Sequence, residues 1–219
     1  MEMDRNRFIR QMDICPPDKL QFSIVVIGAG AVGSATVLTL AKMGCGNIAV
    51  WDDDVLDEHN IPNQLCKPAM IGRSKVEALQ ELVRELTDVE IRIDTRRYRG
   101  QRLNGVVILA VDSMDVRAEA WRRIKLDPNV PLLIDPRMGA EVGRIYCIRP
   151  TDPSAIDFYE QNLYPSSGAE QLPCSARSII YCPTVMAGLT AAQIKTFAVG
   201  QPTKREIVID LPNLVLQAA

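Results

Sequence analysis

Three glycines, Gly28, Gly30 and Gly33, stand in the pattern GxGxxG between the apolar run Ser23 to Ile27 and the segment SATVLTLAKMG. A strand passing through such a turn into a helix makes an anion site. The first glycine permits the tight turn, the second lets the backbone approach a phosphate, and the third lets the helix pack on the strand. Ala31 and Val32 belong to the same turn and add their N–H groups to it. Asp52 closes the next apolar run, NIAVW, where a carboxylate accepts hydrogen bonds from a ribose. That much suits NAD and ATP equally. The discriminating residues come next: Asp54, Asn60 and Gln64 in WDDDVLDEHNIPNQ, and Lys75 in IGRSK. They form a second polar set suited to phosphate and metal, for which a hydride-transferring enzyme has no need.

The elements that must hold these residues alternate. SIVVI and NIAVW read as strands, and SATVLTLAKMG as a helix ending at Gly44. Gly72 to Leu86 carries Val76, Leu79, Leu82, Val83 and Leu86 at helical spacing, and Val89 to Thr95 alternates as a strand with one wetter face. VVILAV, Val106 to Val111, is apolar throughout, as in a parallel strand covered on both faces, and a turn and helix follow it. Leu132 to Asp135 and Arg144 to Ile148 are further strands, with a turn expected in DPRMGAEVG between them. Thr151 to Cys174 is rich in Pro, Ser and acidic residues, with one short helix expected around Ala155 to Leu163. A small-residue helix over Pro183 to Val199 and a last strand over Glu206 to Leu211 complete the reading. The class is α/β with a mainly parallel sheet. We expect one domain, made of an arm (1–22), a nucleotide-binding core (23–150), a loop-rich crossover (151–182) and a final helix and strand (183–219).

Composition narrows the function. With 219 residues and 47% hydrophobic content the chain can bury a substantial core. A net charge of -2 gives no broad footprint for nucleic acid, and Arg96, Arg97, Arg99 and Arg102 read as a solvated turn. No stretch approaches the roughly 20 apolar residues of a membrane span, and MEMDRNRFIRQMD lacks a signal-peptide core, so a cytoplasmic location is expected. The six cysteines include no CxxC pair, so they read as thiols and no zinc is expected. The single histidine, His59, lies among acidic and polar neighbours and reads as a surface residue.

Six motifs occur in order: RFIRQ, GAGAVG, WDDDV, HNIPNQ, IGRSKVEAL and VDSMDVR. In this order they resemble the ThiF/MoeB/HesA family, the ubiquitin-activating-enzyme-like adenylyltransferases, over Arg7 to about Lys195. The resemblance implies a Rossmann-like, mainly parallel sheet with helices on both faces and a loop-rich crossover. It also implies ATP and Mg2+. Asp52 then matches the ribose ligand, Asn60 the asparagine that reaches phosphate and metal, Lys75 the phosphate lysine and Asp112 the magnesium aspartate. Arg10 matches the arginine that members insert into a partner subunit's site, which implies a homodimer. Cys174 is placed like the family cysteine that forms a covalent intermediate. The implied substrate is the C-terminal carboxylate of a small ubiquitin-like or sulfur-carrier protein, or of a peptide.

One position departs from the family pattern Asn-x-x-Arg-Gln: Asn63 stands where the arginine would be. An amide at that point of the nucleotide-contacting set hydrogen-bonds but neutralises no charge, at a cost of about 1.5–3 kcal/mol of phosphate stabilisation. Arg73 and Arg137 are the candidate substitutes. A non-catalytic nucleotide-binding or assembly protein of this fold, and an NAD-dependent oxidoreductase, stand as alternatives.

Overall fold

The computed structural model describes residues 5–165 and 179–219. Among them β1 (Ile24–Ile27), β2 (Ile48–Trp51), β3 (Arg92–Asp94), β4 (Val106–Leu109) and β5 (Leu133–Gly139) pair in parallel, in the order β3-β2-β1-β4-β5. β6 (Val142–Ile148), β7 (Glu206–Asp210) and β8 (Val215–Ala218) extend the same sheet antiparallel beyond β5.

The uninterrupted apolar strands are explained by cover on both sides. Ile24, Val26, Ile108 and Ile134 pack with α1 (Ala31–Met43), α2 (Lys75–Thr87) and α5 (Tyr181–Ala198). Their neighbours Val25, Ile27, Val107, Leu109 and Leu133 pack with α3 (Met114–Ile124) and α4 (Pro153–Gln161). Successive side chains of a strand point to opposite faces, so a strand covered twice has no polar position. The expected class, with helices on both faces, is the one observed.

Three boundaries differ from the sequence reading. β3 is confined to Arg92–Asp94, because as the outermost strand it pairs only with Ala49 to Trp51 of β2. DPRMGAEVG is not an open turn: Asp135 to Gly139 pairs rung by rung with Val142 to Tyr146, and the reversal is limited to Ala140 and Glu141. Pro136 is tolerated in β5 because the last parallel rung with β4 is Ile134. Gly143 reflects packing rather than turning, since a Cβ there would run into the Met186 sulfur of α5. The third difference is β8, a strand beyond the one expected to be last. Its residues are all exposed, and VLQA carries no alternation to announce it.

The arm forms a 3-10 turn, Arg5–Gln11, across the far ends of α1 and α2. Gln11 Nε2 donates to Met43 O at 2.8 Å, and Arg7 pairs with Asp88 at 2.6 Å. No helix among the described residues is long and apolar enough to cross a membrane.

Candidate active site

The first strand delivers the glycine turn. Gly28 has φ +101, and a Cβ on it would strike the carbonyl of Ala110 at the end of β4. A Cβ on Gly33 would strike the carbonyl of Gly28, whereas nothing lies within 4 Å of the position it would take on Gly30. The outer glycines therefore close the turn against its neighbours, and the middle one leaves an open cradle before α1. Ala31 and Val32 begin α1 there, so their N–H groups belong to the first turn, which has no partners within the helix. Gly33→Ala should cost about 3 kcal/mol through this backbone overlap. Gly30→Ala should stay within about 1 kcal/mol of the parent, since its backbone is extended and the space is empty. Thermal unfolding of the two variants checks the contrast.

Asp52 ties the second strand to this turn. Its Oδ2 accepts from Ala29 N at 2.6 Å and its Oδ1 from Asp54 N at 2.8 Å. Burial pushes the Asp52 carboxyl up, against the opposing pull of those two N–H groups and of Lys75. Each oxygen keeps a lone pair for a ribose hydroxyl.

The segment after Asp52 folds back over α1. Asn60 is 5% exposed, and its Oδ1 accepts from Asp57 N at 3.0 Å, so this side chain first shapes its own turn. Leu65 N donates to Ser34 Oγ on α1 at 3.3 Å, which fixes the segment beside the glycine turn. Asn63 Oδ1, Gln64 Oε1 and Ser74 Oγ are buried without a hydrogen-bond partner. Buried polar atoms are seldom left so, and these oxygens suit donors such as a water shell or a hydroxyl. Ser34 and Ser74 were missed in the sequence, although a serine directly before Lys75 and a helix is a recognisable start signal.

Lys75 is the first residue of α2, and its Nζ lies 2.7 Å from Asp54 Oδ2. Asp112 follows β4, exposed and with no hydrogen bond or ion pair among the described residues. The capping of α3 falls to Ser113, whose Oγ accepts from Val116 N at 3.3 Å. Gly28, Asp52 and Asp112 thus leave the C-terminal ends of β1, β2 and β4, the edge at which open α/β sheets bind ligands.

Other expected residues lie elsewhere. Arg10 is exposed at the far end of α1, near Gly44, whose Cβ position would lie against Phe8. α1 has 13 residues, so that end is roughly 20 Å from the glycine turn of the same chain. Neither candidate substitute for the missing arginine is free. Arg73 pairs with Glu81 along α2 at 2.7 Å, and Arg137 is held at Asp135. Cys174 lies outside the described residues. Cys147 is buried in β6, and burial pushes its thiol up to about 12. His59 is 76% exposed, as expected of a surface residue.

Beside the site, on the α3/α4 face, lies a buried cluster of which the sequence reading singled out only Arg137, and that as a phosphate ligand. Arg117 Nε donates to Asp135 Oδ1 at 2.8 Å, and Tyr159 OH donates to Asp135 Oδ2 at 2.8 Å. Arg137 Nε also donates to Oδ2 at 2.8 Å; its Nη2 makes an ion-pair contact there without hydrogen-bond alignment. Burial alone would raise the Asp135 carboxyl, but the two guanidiniums outweigh it and hold it below the usual carboxylate range. The cluster joins α3, β5 and α4 at the site's edge.

The profile of the ThiF family matches residues 18–213. A stretch of 61 residues is 41% identical to "Probable adenylyltransferase/sulfurtransferase MoeZ" of Mycobacterium tuberculosis, covering 27% of this chain and 16% of that protein. Over 115 residues the chain is 27% identical to "Ubiquitin-like modifier-activating enzyme 5" of Branchiostoma floridae, covering 44% of this chain and 28% of the relative. These matches span less than a third of the relatives' lengths. Among solved structures, E. coli MccB with AMPCPP and MccA superposes with a TM-score of 0.78 at 15% identity, covering 99% of this chain and 71% of that one. At that identity the likeness establishes the fold.

Proposed function

This chain belongs to the ThiF family, and we propose that it adenylates the C-terminal carboxylate of a small ubiquitin-like or sulfur-carrier protein, or of a peptide, at the expense of ATP. The observation that carries this reading is the second polar layer beyond the ribose aspartate. Asn63 Oδ1, Gln64 Oε1 and Ser74 Oγ are buried without a partner, Leu65 N donates to Ser34 Oγ near the start of α1, and Lys75 directly follows Ser74; we assign these residues to the phosphate side of the nucleotide. A dinucleotide site requires no such layer.

Residue types and chemistry agree. A carboxylate oxygen attacks the α-phosphorus, the bond to the bridging oxygen breaks, and pyrophosphate leaves with the electron pair. The carboxylate is already ionised at neutral pH, so no general base is needed, and the single histidine is no obstacle. Two anions must be brought together, and the chain offsets their repulsion with Lys75 and with the N–H groups of the glycine turn and the start of α1. Gly30 leaves room for the phosphates, and Asp52 orients the ribose. On the family resemblance Asp112 would hold magnesium, with Asn60 and Gln64 as further polar groups of the set, and the ion would supply further charge neutralisation. Transfer of the activated carbonyl to a thiol is assigned to Cys174 on the family resemblance alone.

Arg10 is assigned, on the family resemblance, the role of the arginine inserted into a partner subunit's site. Its place at the far end of α1 keeps it from its own site, and a homodimer would bring it to the partner's. Arg10→Ala and Asp112→Asn should each be inactive while folded. A mixture of the two should recover about a quarter of parental activity, because random reassortment makes half the dimers mixed and each carries one intact site. Absence of recovery after verified subunit exchange would show that Arg10 does not act across a dimer.

ATP–pyrophosphate exchange with candidate carriers or peptides, each with a free C-terminus, tests the reading as a whole. Carrier-dependent exchange and a carrier–AMP adduct by mass spectrometry are expected. Asn63, together with the engagement of Arg73 and Arg137 elsewhere, favours one second reading, a nucleotide-binding assembly protein without turnover. ATP binding without exchange, for a partner shown to bind, would select it.

A further inference from the structure

Lys75 occupies an unfavourable place for a free cation. It is the first residue of α2, where the helix already presents the positive end of its dipole, and its side chain is only 11% exposed. The structure satisfies both with one residue. Asp54 puts Oδ2 at 2.7 Å from the ammonium, and its backbone carbonyl accepts from Lys75 N at 3.0 Å. The carboxylate sits where an anionic ligand of Lys75 would sit.

The two partners are not equally fixed. Lys75 is largely buried, whereas the Asp54 side chain is 65% exposed and free to turn into solvent. The backbone beneath it is clamped. Val55 bridges Ser74, Leu56 N donates to Arg73 O at 2.8 Å, and Gly72 N donates to Leu56 O at 2.9 Å. A carboxylate on such a clamp can yield its place without leaving the neighbourhood, so it competes at a high effective concentration. The surroundings sharpen the competition. The carboxylates of Asp52, Asp53 and Asp54 lie within 4.8 Å of one another, so the ammonium of Lys75, on Asp54, faces a local excess of negative charge.

We propose that Asp54 is a built-in competitor for the phosphate that Lys75 binds, keeping the lysine neutralised until a nucleotide triphosphate displaces the carboxylate. The displaced carboxylate then repels the arriving phosphates, and a divalent cation on the triphosphate relieves that repulsion. Discrimination against metal-free triphosphates follows directly. This inference rests on the reading of a nucleotide triphosphate site made above.

Calorimetric titration of the full chain with ATP, once in EDTA and once with excess magnesium, tests it on the parent, Asp54→Asn, Lys75→Ala and the double variant. Asp54→Asn should bind metal-free ATP about threefold to fivefold more tightly than the parent, the range expected of a partly exposed ion pair. The gain should be smaller with magnesium and absent in the Lys75→Ala background. Unchanged or weaker metal-free binding by Asp54→Asn would overturn the proposal. Weakening confined to magnesium would also overturn it, by making Asp54 a metal ligand beside Asp52 and Asp53. If the parent and every variant fail to bind ATP while melting normally, the nucleotide site itself is refuted, which is a separate result.

Discussion

Lys75→Ala is expected to lower carrier-dependent ATP–pyrophosphate exchange by about 10²–10³, the range seen when one preorganised donor to developing charge is removed. The size of the effect follows from the site's shortage of cations. Within the chain itself, Asn63 contributes no charge, Arg73 and Arg137 are committed to Glu81 and Asp135, and Lys75, its side chain 11% exposed, has only the exposed Asp54 as an ion-pair partner among the described residues. The fold should be nearly indifferent, because the one ion pair lost has an exposed partner, worth about 1 kcal/mol or less. Exchange rates and melting curves on the same preparation measure both. Exchange within tenfold of the parent would mean that the phosphates are held by other groups. Lys75→Arg should restore only part of the rate, since the planar guanidinium cannot take the position of a compact ammonium behind Asp54.

Asp135→Ala should act on the fold instead. It would leave Arg117 and Arg137, with side chains 5% and 12% exposed, facing each other without their shared carboxylate. Removing one partner from a buried ion pair costs about 3–5 kcal/mol, which in a chain of this size lowers the melting temperature by about 10 °C. The pH dependence has a definite sign. The guanidiniums hold the Asp135 carboxyl below its ordinary value in the folded state, so its contribution is present above the unfolded value near 4 and is lost as pH falls through the folded value. The gap between parent and Asp135→Ala should therefore be constant around neutrality and narrow in acid. A gap that is unchanged down to the acid limit of folding would assign the loss to packing of the cluster rather than to its charge.

The parts of the site that were legible in the sequence are those built by local backbone geometry. GxGxxG after an apolar β-branched run specifies strand, turn and helix because Gly28 and Gly33 have no room for a Cβ and Gly30 leaves a cradle. The apolar run VVIL specifies a strand covered twice. The errors have the same origin. In DPRMGAEVG the two glycines read as a turn, yet Gly139 ends a strand and Gly143 makes room for Met186, which is distant in sequence. β8 was invisible because an edge strand with both faces exposed has no hydrophobic period.

By itself, then, the sequence determined the class of fold, the strand, glycine turn and helix at its start and which residue types line the chain beyond it, since neighbouring residues settle φ, ψ and periodicity. Only the tertiary structure decided which charges meet. It placed Asp54 on Lys75, committed Arg137 to Asp135 in place of a phosphate, and set Arg10 at the far end of α1 from its own glycine turn. Ion pairing depends on distance and burial between elements that the chain brings together from far apart, and no spacing along the sequence encodes it.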